Sequence, residues 1–437
     1  MTALLCGDTV LSAAELSDKI AAQAMDHVAG MTVPIRHPDR VTALISALAV
    51  HDAGGVPLVG DDRWDDTYWA GLRHRVESAA PVPGLGWGTF TSGSTGAPRM
   101  IVRTAASWAA SYPAVERLTG LTADDVVYLP SPLVSSVTMF SVAHARALGA
   151  TVLLPRTHTV SAADLAHATV LHGTPYALRD ILETGAAHRL RVALIGGARL
   201  DPDLRARAEA AGIRVVSYYG AAELSFVAVD PDGAGLRPFE GVELRVDDGV
   251  LWVRSPYFAA GYLAATDGPG RGKDDSGTAG GPGRLETAVG YPGVTDGPFR
   301  RDDNGWGTVG DLVDPATDGP LRLRGRSDGA ILTAAATVVP EDVEAALLGI
   351  DGIADAVVFA LPHERAGELV AALIETEPGR RPPTAAELRS QAGTLLTGTH
   401  RPRRWFWTDK LPRTATGKPA REQIRHAAIE GRMTRIG

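Results

Sequence analysis

Between residues 125 and 217 five short apolar segments, at 126–129, 151–154, 169–172, 192–195 and 214–217, alternate with longer stretches of helical periodicity. That rhythm belongs to an α/β unit with a mostly parallel sheet. Ligands of such sheets sit at the carboxyl ends of the strands, so the segments to inspect are those that follow each strand. Three stand out: Gly173-Thr174-Pro175, Gly196-Gly197-Ala198 and the run 218–223.

Elsewhere the patterning changes. Ser12 and Glu15 have capping-box spacing ahead of an amphipathic run through Ala24, a second helix is expected over 40–53 with Gly54-Gly55 as its stop, and 56–59 reads as a strand. From 242 to 254 the period becomes two, with Asp248-Gly249 as a hairpin turn, which marks a small β unit over about 242–326. Residues 266–286 are rich in Gly, Asp, Pro and Ser; they read as a mobile exposed excursion and receive no element. A compact α+β tail follows, with strands near 354–361 and 369–374, a helix capped by Thr384 and Glu387, and a basic stretch over 401–421. A chain of 437 residues exceeds one hydrophobic core. The expected fold class is α/β: a large N-terminal α/β domain over 1–326, including the small β unit, and an α+β C-terminal domain over 327–437.

A net charge of −8 argues against nucleic acid or an anionic membrane as partner. The single cysteine, Cys6, excludes an internal disulfide framework. No basic leader and no apolar run of about 18 residues is present, so the expectation is a cytoplasmic protein that does not span a membrane.

The string TFTSGSTGAPR runs from Thr89 to Arg99, and its six positions Thr91, Ser92, Gly93, Ser94, Thr95 and Gly96 are all hydroxyl residues or glycine. A flexible backbone whose N–H groups converge, hydroxyl donors and a guanidinium just downstream suit a phosphate. It is no Walker loop, because the Gly-Lys-Ser/Thr ending is missing. By itself the string also fits a plain surface loop.

Further motifs follow it in order: SYYGAAELSFVAV from Ser217, GWGTVGDLV from Gly305, RLRGRSDGAIL from Arg322 and LPRTATGKPAR from Leu411. Together the five strings resemble the adenylate-forming superfamily, which includes acyl- and aryl-CoA synthetases, the adenylation domains of peptide synthetases, and luciferases. The resemblance implies ATP and Mg²⁺ as cofactors, a small-molecule acid as substrate, and CoA or phosphopantetheine as acceptor. It implies that the loop 91–96 holds the β and γ phosphates, with Arg99 where the family usually has lysine. Arginine keeps the charge and changes the geometry.

By the same similarity Glu223 positions Mg²⁺, and Tyr219 lies against the adenine within a turn completed by Tyr218, Gly220 and Ala221. Gly196, Gly197 and Ala198 line its other side and the acyl pocket. Asp311 matches the ribose-binding aspartate, Arg326 the arginine that reaches ribose and phosphate, and Lys418 the catalytic lysine of the tail, which pivots about a hinge at Asp328 to act as a lid.

Two positions depart from the family pattern. Ala222 removes a hydroxyl that would contact the α-phosphate, and Ala335 stands where relatives carry glycine beside the pantetheine tunnel, which makes the thiol step less secure than adenylation. The N-terminal region is also short beside larger relatives. The acid pocket is expected to draw on Ser135, Ser136, Met139, Phe140, Gly173 and Phe226, with no acidic group placed for an α-amino acid's ammonium, which favours an aryl or acyl acid. His144 and His172 read as packing residues rather than catalysts, and no His/Cys cluster has zinc spacing. Three readings stay open: transfer to a thiol of CoA or a carrier protein; transfer to an amine, or activation of nitrite for diazotisation of an arylamine; and an inactive binding relative. A homodimeric second copy is also open as a partner.

Overall fold

The computed structural model describes residues 1–436 apart from 24, 92–97, 158, 265–290, 292–293, 296, 315–318, 327–330, 334–335, 364–366, 378, 397, 399 and 415–416. The excursion read at 266–286, the phosphate loop from Ser92 to Gly96, Asp328 and Ala335 therefore lie outside the described residues. The chain forms two compact units, one of Met1–Thr91, Pro98–Leu244 and Val253–Val309, the other of Arg245–Trp252 and Gly310–Gly437.

In the first unit nine described strands form one sheet, in the order Arg237–Pro238, Ser225–Asp230, Arg214–Ala221, Val192–Ile195, Val170–Gly173, Val126–Tyr128, Thr151–Leu153, Thr2–Cys6 and Thr9–Ser12. The run from Arg214–Ala221 to Thr2–Cys6 is parallel throughout, as the alternation of short strands and helices predicts. A carboxylate ties its amino end: Asp125 accepts from Thr169 Oγ1 at 2.7 Å and from Arg191 Nε and Nη2 at 3.1 and 2.5 Å, joining the starts of three neighbouring strands. Tyr128, Leu171, Ala193, Ile195 and Val215 face the helices that carry Leu178, Ile181 and Leu204, and together they form a buried core. A second, mixed sheet holds Val294–Thr295, Gly261–Leu263, Arg99–Arg103, Trp87–Thr91, Val56–Val59 and Thr32–Ile35.

The local signals act as expected. Ser12 and Glu15 form a reciprocal capping box on Ala13–Ala21, and Thr384 and Glu387 form another on Ala385–Leu395. Asp248 and Gly249 both have positive φ, 49° and 74°, the backbone of a two-residue hairpin turn. Other features carry no local signal, among them most strands of the second sheet. The N-terminal hairpin Thr2–Cys6 with Thr9–Ser12 is too short to show a period. The strand from Arg214 runs on to Ala221, four residues beyond its apolar segment, because Ser225–Asp230 folds back antiparallel and completes its ladder.

In the second unit Ile353–His363 and Gly367–Thr376 pair antiparallel along their length, and Arg404–Thr408 adds in parallel. Side chains alternate between two cores. Ala356, Val358, Ala372 and Ile374 pack with Val343, Leu347, Leu388 and Trp405, while Val357, Phe359, Ala371 and Leu373 pack with Phe406, Leu411 and Ile424. Among the described residues no helix is long and apolar enough to cross a membrane.

The antiparallel return at 221–225 leaves no room for a methyl group. A Cβ on Gly220 would lie 2.2 Å from the Ser225 carbonyl oxygen, at the point where the register shifts between Tyr219 and Gly220. Gly220→Ala is expected to lower stability by about 1–3 kcal/mol, the usual cost of overpacking. Urea unfolding followed by circular dichroism measures it, and an unchanged midpoint would show that the two strands part freely.

Candidate active site

The parallel strands bring the three expected segments to one edge of the sheet. Gly173 is in register with Ile195 and Ile195 with Ser217, so Gly173, Gly196 and Tyr218 follow one another across the carboxyl ends, and Gly196 N donates to Gly173 O at 3.0 Å. Val126–Tyr128, first of the parallel set in sequence after the hairpin, has Thr151–Leu153 on one side and Val170–Gly173 on the other. Strand order reverses there, which is where open α/β sheets bind ligands. Gly196 is required by contact: a Cβ would fall 2.2 Å from the Tyr218 ring. Gly197 is required by its φ of 84°.

Tyr218 turns inward. Its hydroxyl is buried and lies 3.0 Å from His172 Nε2, while His172 Nδ1 lies 2.5 Å from Ser141 Oγ. Phe226 packs on Tyr218 with ring centroids 4.6 Å apart, and Phe140 sits edge-on to both Phe226 and His172. Successive strand residues face opposite ways, so Tyr219 is the member of the pair presented on the other face. Phe140, Phe226 and Gly196 are thus gathered around Tyr218. Ser135 is buried at the N-cap of Ser136–Leu148 without a side-chain cap bond, and Met139 is fully buried.

Glu223 sits in the turn between Arg214–Ala221 and Ser225–Asp230, where the first sheet meets the second, and is only 6% exposed. Its backbone carbonyl accepts from Ala259 N at 2.8 Å, and Oε1 accepts from the Tyr262 hydroxyl at 2.5 Å. Beside it lies Arg103, wholly buried, which donates to the carbonyls of Ala222 at 2.5 Å and Tyr257 at 3.2 Å and to Ser107 Oγ at 3.2 Å. Burial pushes the Arg103 guanidinium down to about 9, and the Glu223 charge opposes that shift. Oε2 of Glu223 takes no hydrogen bond from a described residue. It suits a hard divalent cation, which takes one carboxylate oxygen along with phosphate oxygens and water. Among the described residues no group of three or more His, Cys, Asp or Glu is placed to hold a metal ion.

Arg99 and Thr91 are cross-strand partners in an antiparallel pair, and Ser92 to Gly96 between them lie outside the described residues. In the second unit Asp311, 7% exposed, stands opposite Arg326 in an antiparallel pair, which joins two residues expected to share the ribose. Lys418 is exposed on a closed loop. Thr414 N donates to Lys418 O at 2.7 Å, Gly417 N to Thr414 O at 2.9 Å and Arg413 Nη1 to Gly417 O at 3.0 Å, with Gly417 at φ 81°. Arg413 is paired with Asp355 and Arg421 with Glu344 and Glu341, so both ends of the loop are fixed to the framework.

Sequence reasoning missed Arg103 and Tyr262. A charged residue ending the apolar run Met100-Ile101-Val102 was the available signal for Arg103. Tyr262, on a short strand of its own, gave none. His172 is a packing residue as expected, yet a hydrogen-bonded one. Burial, with a smaller contribution from His144, pushes its imidazole down from 6.5 to about 3.

His172 therefore stays neutral in the folded chain while the unfolded chain takes up a proton below 6.5. Its contribution to stability is complete above that value and is lost as pH falls toward 3, at up to about 1.4 kcal/mol per pH unit. Urea midpoints measured from pH 7 to pH 4 are expected to fall less steeply in His172→Gln than in the native chain. Identical slopes would mean that the imidazole is accessible to protons in the folded state.

Comparison with known proteins bears on the family and the fold. The family model described as AMP-binding enzyme matches residues 88–263, and that described as AMP-binding enzyme C-terminal domain matches 342–418. An uncharacterised acyl-CoA ligase of Bacillus subtilis is 26% identical over 362 residues, covering 77% of this chain and 67% of that protein. A probable 2-succinylbenzoate-CoA ligase of Mycobacterium tuberculosis is 33% identical over 249 residues, 57% of each chain. The structure of an amide bond synthetase from Marinactinospora thermotolerans, 21% identical, superposes with a TM-score of 0.76 over 97% of this chain and 96% of that one. The two family models occur in order and together span more than half of the 437 residues, so the chain belongs to the adenylate-forming superfamily of AMP-binding enzymes.

Proposed function

We propose that the protein activates a carboxylic acid with ATP and then passes the acyl group to a thiol of CoA or of a carrier protein. In the first step a carboxylate oxygen attacks the α-phosphorus, the bond to the β-phosphate oxygen breaks, and pyrophosphate leaves with acyl-AMP formed. In the second the thiol attacks the acyl carbon, AMP leaves and the thiol proton passes to solvent. The observation that carries this reading is Glu223, a buried carboxylate fixed on one oxygen by Tyr262 at the carboxyl end of a parallel sheet. Bound there, Mg²⁺ would neutralise phosphate charge as pyrophosphate departs.

The other roles follow from charge and position. Arg99, with Thr91 and the string from Ser92 to Gly96, meets the outer phosphates; Gly196, Gly197, Ala198 and Tyr219 hold the base; Asp311 accepts from the ribose hydroxyls while Arg326 reaches ribose and phosphate. Lys418 supplies a cation to the α-phosphate and the attacking carboxylate when the region after 326 moves as a lid about Asp328. The acid meets Phe140, Phe226 and Gly173, and the apolar character of that cluster favours an aryl or acyl group.

A second reading keeps the adenylation and replaces the thiol with an amine, or activates nitrite so that an arylamine is diazotised. Ala222 supports it, because the methyl group there offers the α-phosphate no hydroxyl, and so does Ala335. Following AMP and product across a panel of acids and nitrite, with ATP, Mg²⁺ and either CoA or an amine, separates the readings. Product formed only with CoA or carrier thiol is expected. Product with an amine alone selects the second reading, and no nucleotide turnover with any acid would leave a binding relative.

Lys418→Ala is expected to reduce acid-dependent exchange of pyrophosphate into ATP by about 10²–10³, as loss of a charge-stabilising donor does. Release of the acyl group from a preformed adenylate to the acceptor should change little. Equal losses in both steps would show that the lysine serves the framework instead.

A further inference from the structure

We propose that Arg103 is a positioning residue for Glu223: its guanidinium fixes the turn that presents the carboxylate, so that the cation site exists before nucleotide arrives. The inference rests on the reading of Glu223 as the Mg²⁺ residue. It is carried by geometry: the planar fork reaches the carbonyl of Ala222, the residue immediately before Glu223, and the carbonyl of Tyr257, in the segment that holds Glu223 from the other side. That segment supplies Ala259 N to the Glu223 carbonyl and leads into Tyr262, whose hydroxyl meets the carboxylate. Arg103 thus ties together both walls between which Glu223 stands.

The arginine is itself held from three sides. Ser107 Oγ accepts from Nη1, the Trp108 ring lies under the guanidinium at 4.9 Å, and Ala260 N donates to the carbonyl of Val102, the residue beside it, at 2.9 Å. Arg301 secures the far end of the same segment through the carbonyls of Ala259 at 2.5 Å and Ala260 at 3.0 Å. Arg103 also ends the strand that begins at Arg99, so the residue proposed to meet the outer phosphates and the one proposed to support the cation site lie on one strand. A lysine in its place keeps the charge and cannot grip two carbonyls in one plane.

Equilibrium binding of ATP to the full chain, measured by calorimetry in EDTA and again in excess Mg²⁺, tests this. In the native chain Mg²⁺ is expected to tighten binding. Arg103→Met should lose about tenfold or more of that gain, the scale of a hydrogen bond to a charged group, with affinity in EDTA unchanged within about twofold. Arg103→Lys should recover part of the gain. Should Arg103→Met fail to fold, Ser107→Ala keeps the guanidinium, removes one of its anchors and is expected to lose a smaller part of the gain in the same direction. A gain equal to the native one in both Arg103→Met and Ser107→Ala, or affinity lost equally with and without Mg²⁺, would overturn the inference. Absence of any gain in the native chain would instead overturn the reading of Glu223, and this inference with it.

Discussion

A carboxylate buried between two sheets is the constraint on which the rest of the first unit depends. Glu223 is withdrawn from water at the turn where Arg214–Ala221 folds back into Ser225–Asp230. An unpaired ionised carboxylate in such a place is very costly, so the fold must supply donors and positive charge around it. It does so from the second sheet: the buried Arg103 comes from the strand Arg99–Arg103, the Tyr262 hydroxyl from Gly261–Leu263 and the Ala259 amide from the segment leading to that strand. The two sheets are fastened to each other through the very residue that the proposed chemistry requires. Packing and function thus draw on the same contacts, and a change that loosens one loosens the other.

The parallel sheet supplies the second condition, a common edge. Because Gly173, Ile195 and Ser217 share a register, the residues after each strand emerge side by side, and small residues there decide how closely a ligand or a ring approaches. Gly196 lies flat beneath Tyr218, whose hydroxyl continues through His172 to Ser141. An imidazole that stays neutral keeps this chain of polar groups from adding a charge to an aromatic wall. Behind the Phe226 and Phe140 rings, the polar groups of this chain are thus paired with one another.

The sequence allowed much of this to be read in advance. The parallel strands showed themselves as four-residue apolar segments, the helix starts as Ser12, Glu15, Thr384 and Glu387, and the hairpin as Asp248-Gly249, because each is a local signal carried by adjacent residues. The extension of Arg214–Ala221 was not legible, since it depends on a partner strand folding back on it. Nor was the support of Glu223: Arg103 and Tyr262 lie 120 and 39 positions from it in sequence, and neither spacing nor periodicity links residues brought together by two different sheets. The candidate residues of the second unit were read from strings alone. There the structure adds that Asp311 faces Arg326 across a ladder and that the lysine loop is closed by its own backbone.

A fold shared with an amide bond synthetase at a TM-score of 0.76 accommodates more than one nucleophile, so architecture does not choose among thiol, amine and other acceptors. The proposal that Glu223 holds the cation of the first step is open to a direct test. A crystal structure of the native chain with ATP and Mn²⁺, located by its anomalous signal, tests this most directly. The account predicts Mn²⁺ in contact with Glu223 and with phosphate oxygens, the Arg103 bond to the Ala222 carbonyl being intact. Mn²⁺ bound only by phosphate and water, with Glu223 still closed against Tyr262, would contradict it.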